Sequence, residues 1–282
     1  MKKDITTIIP TYLDSGIPFS RFISCLESVG KQTIKPRKII ITDDSKDSDL
    51  IKRLQEVLMD FHLPIEYLRN SSVRGMGSNS NNGLAKATTS YVHILHSDDC
   101  LSDDQAYEKM LGKISESHSG WVFSGGRAGP NEQKPRVNKH LIFGINTLGG
   151  PSGLFALREN YLYYDTRLKM LVDVEQYSRI LKEFGHPVII EEPLIDYGVG
   201  NWQVQNNIKS REIVTEYSYI LEKYPESREI LEDLQESTQD THLQIRLAVL
   251  DLIHIRSKPR LRLFLELALL FLARVRNKLK KV

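Results

Sequence analysis

Apolar and polar positions over the first ninety-five residues repeat one unit. Ile5 to Ile9 is apolar and β-branched, and Pro10-Thr11-Tyr12 stops it. Phe22, Ile23, Leu26 and Val29 then recur at helical spacing. Ile39-Ile40-Ile41 predicts a second strand ending at Asp43-Asp44, Leu50–Phe61 a second helix, and Ile65–Leu68 a third strand. Asn79–Ala87 reads as a third helix and Tyr91–Leu95 as a fourth strand. Strands that are apolar throughout, alternating with amphipathic helices, predict a parallel α/β sheet covered on both faces. Polar clusters at each strand end put the chemistry on one edge.

The fourth strand runs into His96-Ser97-Asp98-Asp99. Adjacent carboxylates at the end of a buried strand concentrate negative charge where α/β sheets bind ligands. Hard oxygen ligands of this kind suit Mn²⁺ or Mg²⁺ carrying a diphosphate. Asp also caps helices, and Leu101-Ser102-Asp103-Asp104 is a sequence that can open one.

At 282 residues the chain accommodates one large domain and an appendage. Two cysteines, Cys25 and Cys100, make a disulfide framework an unsuitable reading and fit a reduced, cytoplasmic setting. Met1 to Ile5 runs straight into the first strand, so no signal peptide is expected there. Charge is uneven. Residues 256–282 hold nine Lys or Arg and one Glu, a net +8, so the chain's formal +2 leaves −6 for residues 1–255. The apolar run Leu263–Ala273 between these basic clusters is shorter than the roughly 20 residues a spanning helix needs. A helix over 258–282 is therefore expected to lie on an anionic membrane surface, or else to pack on its own domain or on a second copy as a homo-oligomer. The basic cluster has little aromatic interleaving, and no nucleic-acid partner is expected.

Six segments in order resemble the family 2 glycosyltransferases: Thr6–Tyr12; Cys25–Val29 with Gln32-Thr33; Ile39–Asp47; Gly75–Gly83; His96–Asp99; and Leu171–Arg179. They correspond to the family's Ile-Pro-Thr-Tyr strand, its first helix, its Asp-Asp-Gly-Ser-x-Asp strand end, its Ala-Arg-Asn-x-Gly segment, its Asp-x-Asp-Asp, and its Glu-Asp-x-Asp-Leu-x-x-Arg helix start. The likeness extends over about residues 4–205. It implies a GT-A (Rossmann-like) fold, a mostly parallel sheet flanked by helices, and inverting transfer from a nucleotide-diphosphate sugar, taken as a UDP-sugar, to a glycan or lipid-linked acceptor.

The resemblance gives the residues roles. Asp98, helped by Asp99, is expected to hold the cation, and Asp173 to be the general base. For Asp173, first-turn helix stabilisation is the competing reading. Pro10, Thr11, Tyr12, Asp14, Asp43, Asp44, Arg74, Gly75, Asn81, Ser97 and Asp98 are expected to line the donor site. Gly149, Gly150, Trp202 and Gln203 are expected to shape the sugar and acceptor pocket. His96 stands where the family has an Asp, Ser80 where it commonly has an Arg, and residues 198–206 lack the histidine many relatives carry. The Gln-x-x-Arg-Trp motif of processive synthases is absent, which favours one sugar per encounter. A non-catalytic nucleotide-sugar-binding or scaffold protein is the alternative. A sugar-nucleotide pyrophosphorylase fits less well, because no Gly-rich basic loop follows the first strand. Residues 1–205 are expected to form the transferase domain. Residues 206–282 are expected to form a helical region, with helices over 211–222 and 226–254 and Pro225 and Pro259 as breaks. Assembly of O-antigen or capsule at the inner face of the cell membrane is the expected setting.

Overall fold

The computed structural model describes residues 4–70, 73–117, 119–203, 208–240 and 243–244. The chain divides into two compact units, 1–208 and 209–282. In the first unit the elements are β1 (Ile5–Thr11), α1 (Phe19–Lys31), β2 (Lys38–Asp43), α2 (Ser48–Asp60), β3 (Ile65–Arg69), α3 (Met76–Lys86) and β4 (Tyr91–Ile94). They continue with β5 (Cys100–Leu101), α4 (Ala106–Glu116), β6 (Trp121–Ala128), β7 (Asn131–Gln133), β8 (Leu154–Leu157), α5 (Val172–Phe184) and β9 (Val188–Tyr197).

The strands form one sheet in the order β3-β2-β1-β4-β8-β6-β9-β5, with β7 paired to β6. From β3 to β4 it is parallel, as the alternating pattern predicts. Beyond β4 it is mixed: β8 runs antiparallel to both β4 and β6, while β9 is parallel to β6. β1 lies inside the sheet and is buried along its whole length. Its alternate residues serve two faces. Ile5 and Ile9 join Phe22, Leu26, Met110 and Ile114 of α1 and α4 in one core, while Ile8 faces α3. There Gly83 is required, because a Cβ at that position would lie 2.3 Å from Ile8 Cγ2. Two buried polar bonds tie the layers: Thr7 Oγ1 to Tyr107 Oη at 2.6 Å, and Thr6 Oγ1 to Thr89 Oγ1 at 2.7 Å.

Three expectations are corrected. α3 starts at Met76 rather than Asn79, because Gly75, at φ +134°, turns the chain into it. Its polar first turns are buried, since Gly77, Ser78, Asn79 and Ser80 are small enough to sit against the sheet. The helix expected to open over Leu101–Asp104 starts only at Ala106, because Cys100 and Leu101 pair antiparallel with Asp196 and Ile195 of β9, a partner almost a hundred residues away. In the second unit, α6 (Ser210–Lys223) and α7 (Arg228–Ser237) flank a short turn from Pro225. The helix expected over 226–254 breaks after Ser237, where Thr238 is extended, and residues 245–254 lie outside the described residues. Residues 258–282 lie outside the described residues. Among the described residues no helix is long and apolar enough to cross a membrane.

Substituting Gly83→Ala should destabilise the protein. Overpacking against a fully buried central strand costs about 1–3 kcal/mol, more than the roughly 1 kcal/mol that Ala gains over Gly in a helix. Urea unfolding of the variant is the check; an unchanged midpoint would show that α3 can move away from Ile8.

Candidate active site

The parallel half of the sheet brings its carboxyl ends together. Thr11 and Asp43 are register partners at the ends of β1 and β2, and Asn79 of α3 staples both by donating to Thr11 O and Thr42 O at 3.1 and 3.0 Å. Beside them Leu95 N donates to Ile8 O, and the chain leaves β4 through a turn in which Asp99 N donates to His96 O at 2.9 Å. The acids of that turn cap no helix. Asp103 serves the start of α4 instead, accepting from Gln105 N.

His96, Asp98 and Asp99 each offer a ligand atom, all within 4.8 Å of one another. Asp99 is held at both oxygens: Gly198 N donates to Oδ1 at 2.8 Å, and Ser152 Oγ donates to Oδ2 at 2.5 Å. Trp202 Nε1 donates to Asp98 Oδ2 at 2.7 Å. Arg21 forks onto the Asp98 carbonyl with Nε at 2.9 Å and Nη2 at 2.6 Å, and its Nη1 lies 3.6 Å from the Asp196 carboxylate. Gly198 must lack a side chain, since a Cβ would sit 2.5 Å from Asp98 O. Burial, then the charge of Asp98, pushes the Asp99 carboxyl up to about 8, against the pull of the Ser152 and Gly198 bonds. His96 Nε2 is buried without a hydrogen-bond partner. Two carboxylates around an unpartnered imidazole nitrogen form a donor set that fits Mn²⁺ and also accepts Mg²⁺.

At the end of β2 the two acids of the first doublet differ. Asp43 is saturated: Ser45 N donates to Oδ1, while Tyr67 Oη at 2.6 Å and Arg69 Nη1 at 2.7 Å donate to Oδ2. Asp44 accepts from Gly75 N with Oδ2, and its buried Oδ1 has no hydrogen-bond partner. Burial raises the Asp44 carboxyl above the usual carboxylate range. Asp14 is exposed, and its carboxylate accepts from Lys46 N and Asp47 N, bracing the two strand-end loops. Pro10 and Thr11 are buried within β1, whereas Tyr12 is 41% exposed at its end. Arg74 is exposed beside Gly75, near enough to Asp44 to act on its charge. Ser97 is buried in the turn between the candidate ligands. The Asn81 amide is spent on both backbone groups of Tyr164, at 2.8 and 2.9 Å, and so anchors that segment against α3.

Asp173 is half-buried in the first turn of α5. Its Oδ2 accepts from Asn146 Nδ2 at 3.3 Å and its Oδ1 from Val174 N at 2.8 Å. Asn146 Nδ2 also donates to Gly149 O, so the 146–153 loop carries a contact to Asp173 at one end and to Asp99 at the other. In between, Gly149 and Gly150 lie against Tyr197, at 3.0 Å from Oη and 2.9 Å from the ring for a built Cβ. Their close approach is to the protein itself. Trp202 donates its indole N–H to Asp98, and Gln203 donates to Gly198 O at 3.2 Å. Sequence reasoning treated His96 as a loss and overlooked Ser152, Asn146 and Arg21. Only the place of His96 two residues before Asp98 offered a signal.

The Glycosyl transferase family 2 model matches residues 6–171, more than half of the chain, and the chain belongs to that family. The match ends two residues short of Asp173. A relative in Escherichia coli (strain K12), named "Putative colanic acid biosynthesis glycosyl transferase WcaA", is 24% identical over 201 residues, 66% of this chain and 71% of that protein. Among solved structures, S. aureus TarS 1-349 is similar with a TM-score of 0.54 at 19% identity, covering 77% of this chain and 65% of that one, just under two thirds of its length. The mannosyltransferase PcManGT of Pyrobaculum calidifontis, in complex with GDP-Man and Mn²⁺, gives a TM-score of 0.57 at 18% identity, covering 95% of this chain and 80% of that one. TarS 1-349 also has structures with UDP and with UDP-GlcNAc. The fold is that of the GT-A glycosyltransferases, and the chain is a glycosyltransferase.

The raised Asp99 carboxyl has a signed consequence. The folded chain keeps a proton that the unfolded chain loses above about 3.8, so this contribution to stability is lost as pH rises through about 8. A divalent cation replaces that proton. The rise in melting temperature on adding Mn²⁺ should therefore be larger above pH 8 than below it. Melts on both sides of that value are the measurement; equal shifts would remove Asp99 from the ligand set.

Proposed function

We propose that this glycosyltransferase inverts the anomeric centre, moving one sugar from a nucleotide-diphosphate sugar, read as a UDP-sugar, to a hydroxyl of a glycan or lipid-linked acceptor. One observation carries the reading. A cation-ready cluster, His96, Asp98 and Asp99, and a separate carboxylate, Asp173, are tied to opposite ends of the same loop. Single displacement needs such a division: charge stabilisation at the leaving group, and a base on the acceptor side.

When bound by His96, Asp98 and Asp99, Mn²⁺ or Mg²⁺ supplies Lewis-acid stabilisation to the departing diphosphate. Asp173 accepts the proton of the acceptor hydroxyl, and Asn146 keeps its carboxylate turned to a constant position. At the donor base, Tyr12 offers an aromatic face and the free Asp44 Oδ1 accepts an N–H. Arg74 is placed to meet a phosphate. The UDP, UDP-GlcNAc and GDP-Man complexes of TarS and PcManGT support a nucleotide-sugar donor. The E. coli relative supports a role in cell-surface polysaccharide, with O-antigen or capsule as the setting.

Two substitutions separate chemistry from binding. Asp98→Asn should abolish transfer and the metal dependence of nucleotide-diphosphate binding. Asp173→Asn should lower kcat by about 10²–10⁴-fold, the usual contribution of general base catalysis, with donor affinity kept within a few-fold. Steady-state kinetics with donor titrations decide it. Collapse of donor binding in Asp173→Asn, with kcat surviving, would make that residue structural.

Residues 1–205 act as the transferase and residues 206–282 as a docking region at the cytoplasmic face of the membrane. This part of the reading rests on the basic and apolar sequence of 258–282. Each basic residue near anionic lipid contributes on the order of 1 kcal/mol, and that contribution fades with salt. Deleting 258–282 should release the protein from anionic vesicles in co-sedimentation and leave transfer to a soluble acceptor intact. A full-length chain that ignores such vesicles, or a truncation that splits a homo-oligomer, would overturn the membrane assignment.

A further inference from the structure

Ser152 sits in a short turn, Pro151–Gly153, that none of the family-like segments includes. It is fully buried, and both its hydroxyl and its carbonyl are engaged. Its Oγ accepts from His96 N at 2.9 Å and donates to Asp99 Oδ2 at 2.5 Å. Its carbonyl contacts His93 Nε2 at 2.7 Å. A carbonyl only accepts, so His93 must carry its proton on Nε2. Its Nδ1, 3.2 Å from Tyr107 Oη, is then an acceptor, and Tyr107 donates to it. Thr7 Oγ1 in turn donates to Tyr107 at 2.6 Å. The order of hydrogens is thereby set from β1 through α4 and β4 to the turn. Burial keeps the His93 imidazole neutral, its pKa pushed down to about 4.

We propose that Ser152 is the positioning residue of the cation cluster: one hydroxyl holds the His96 backbone and the Asp99 carboxylate together, and His93 holds that hydroxyl in place. This rests on the reading of His96, Asp98 and Asp99 as the cation site. The chain Thr7–Tyr107–His93–Ser152 makes the position of Asp99 a property of the sheet's interior, not of the exposed loop. With Oδ2 held by Ser152 and Oδ1 by Gly198, the carboxylate cannot rotate about its terminal bond. Its remaining lone pairs stay aimed at the space shared with His96 and Asp98. Groups that orient metal ligands in this way typically contribute 10–100-fold in metal affinity.

The test is Mn²⁺ binding to the full-length protein in the presence of UDP, read from the electron paramagnetic resonance signal of free Mn²⁺, with no turnover involved. Ser152→Ala should weaken Mn²⁺ binding by about 10–100-fold. Ser152→Thr, which keeps the hydroxyl, should bind within a few-fold of wild type. That rescue is what a mere loss of packing would not give. His93→Phe keeps the ring shape but not the bond to the Ser152 carbonyl, and should lose part of the same affinity. Wild-type uptake of Mn²⁺ with an equal affinity in Ser152→Ala overturns the positioning role and leaves the cation site standing. Unchanged affinity in His93→Phe overturns the part given to His93. A wild-type chain that takes up no Mn²⁺ overturns the cation site and this role together.

Discussion

Two carboxylates side by side at the end of a buried strand are the constraint around which the rest is arranged. Asp98 and Asp99 repel each other, and one of them sits where water cannot solvate it. Left alone, such a pair protonates or pulls its strand end apart. The structure surrounds it with four donors from three segments. Arg21 comes from α1, Ser152 from the turn before β8, and Gly198 and Trp202 from the loop after β9, while Ser152 is in turn secured by His93 of β4. Much of what looks irregular follows from this. β9 shifts register against β6 at Ser124–Gly126, and its far end then reaches β5 and delivers Gly198 to Asp99.

The first half of the fold was legible because its signals are local. β1, β2 and β4 are apolar runs buried on both faces, and such runs announce themselves. The second half was not, because its strands are specified by partners far along the chain. Cys100-Leu101 is two residues long and becomes a strand only because Asp196 and Ile195 lie beside it. The start of α3 was misread for a different reason. Met76-Gly77-Ser78-Asn79 has the composition of a loop, and only packing against the sheet explains why small polar residues form a buried helical turn there.

Something similar holds for the site. The acids could be found from sequence because a doublet after an apolar strand is conspicuous. Their supports could not, since Ser152, Asn146 and Arg21 lie 53, 27 and 77 residues from the acids they contact and carry no pattern of their own. His96 was undervalued because it was weighed against an aspartate; its unpartnered Nε2 shows a nitrogen donor in the same place. Trp202 was expected in the sugar and acceptor pocket by its residue type, and its bond to Asp98 through the indole N–H carried no signal in the sequence.

The two acidic doublets share a feature. In Asp43-Asp44 and in Asp98-Asp99 one member is tied at both oxygens, and the other keeps an oxygen to spare. In each doublet one acid therefore belongs to the architecture, and its neighbour has an oxygen left for a further bond. Each pair is thus a mortise and its tenon: the anchored acid gives the other one a rigid seat. The surroundings of the less anchored acid can therefore change without loosening the joint that carries it.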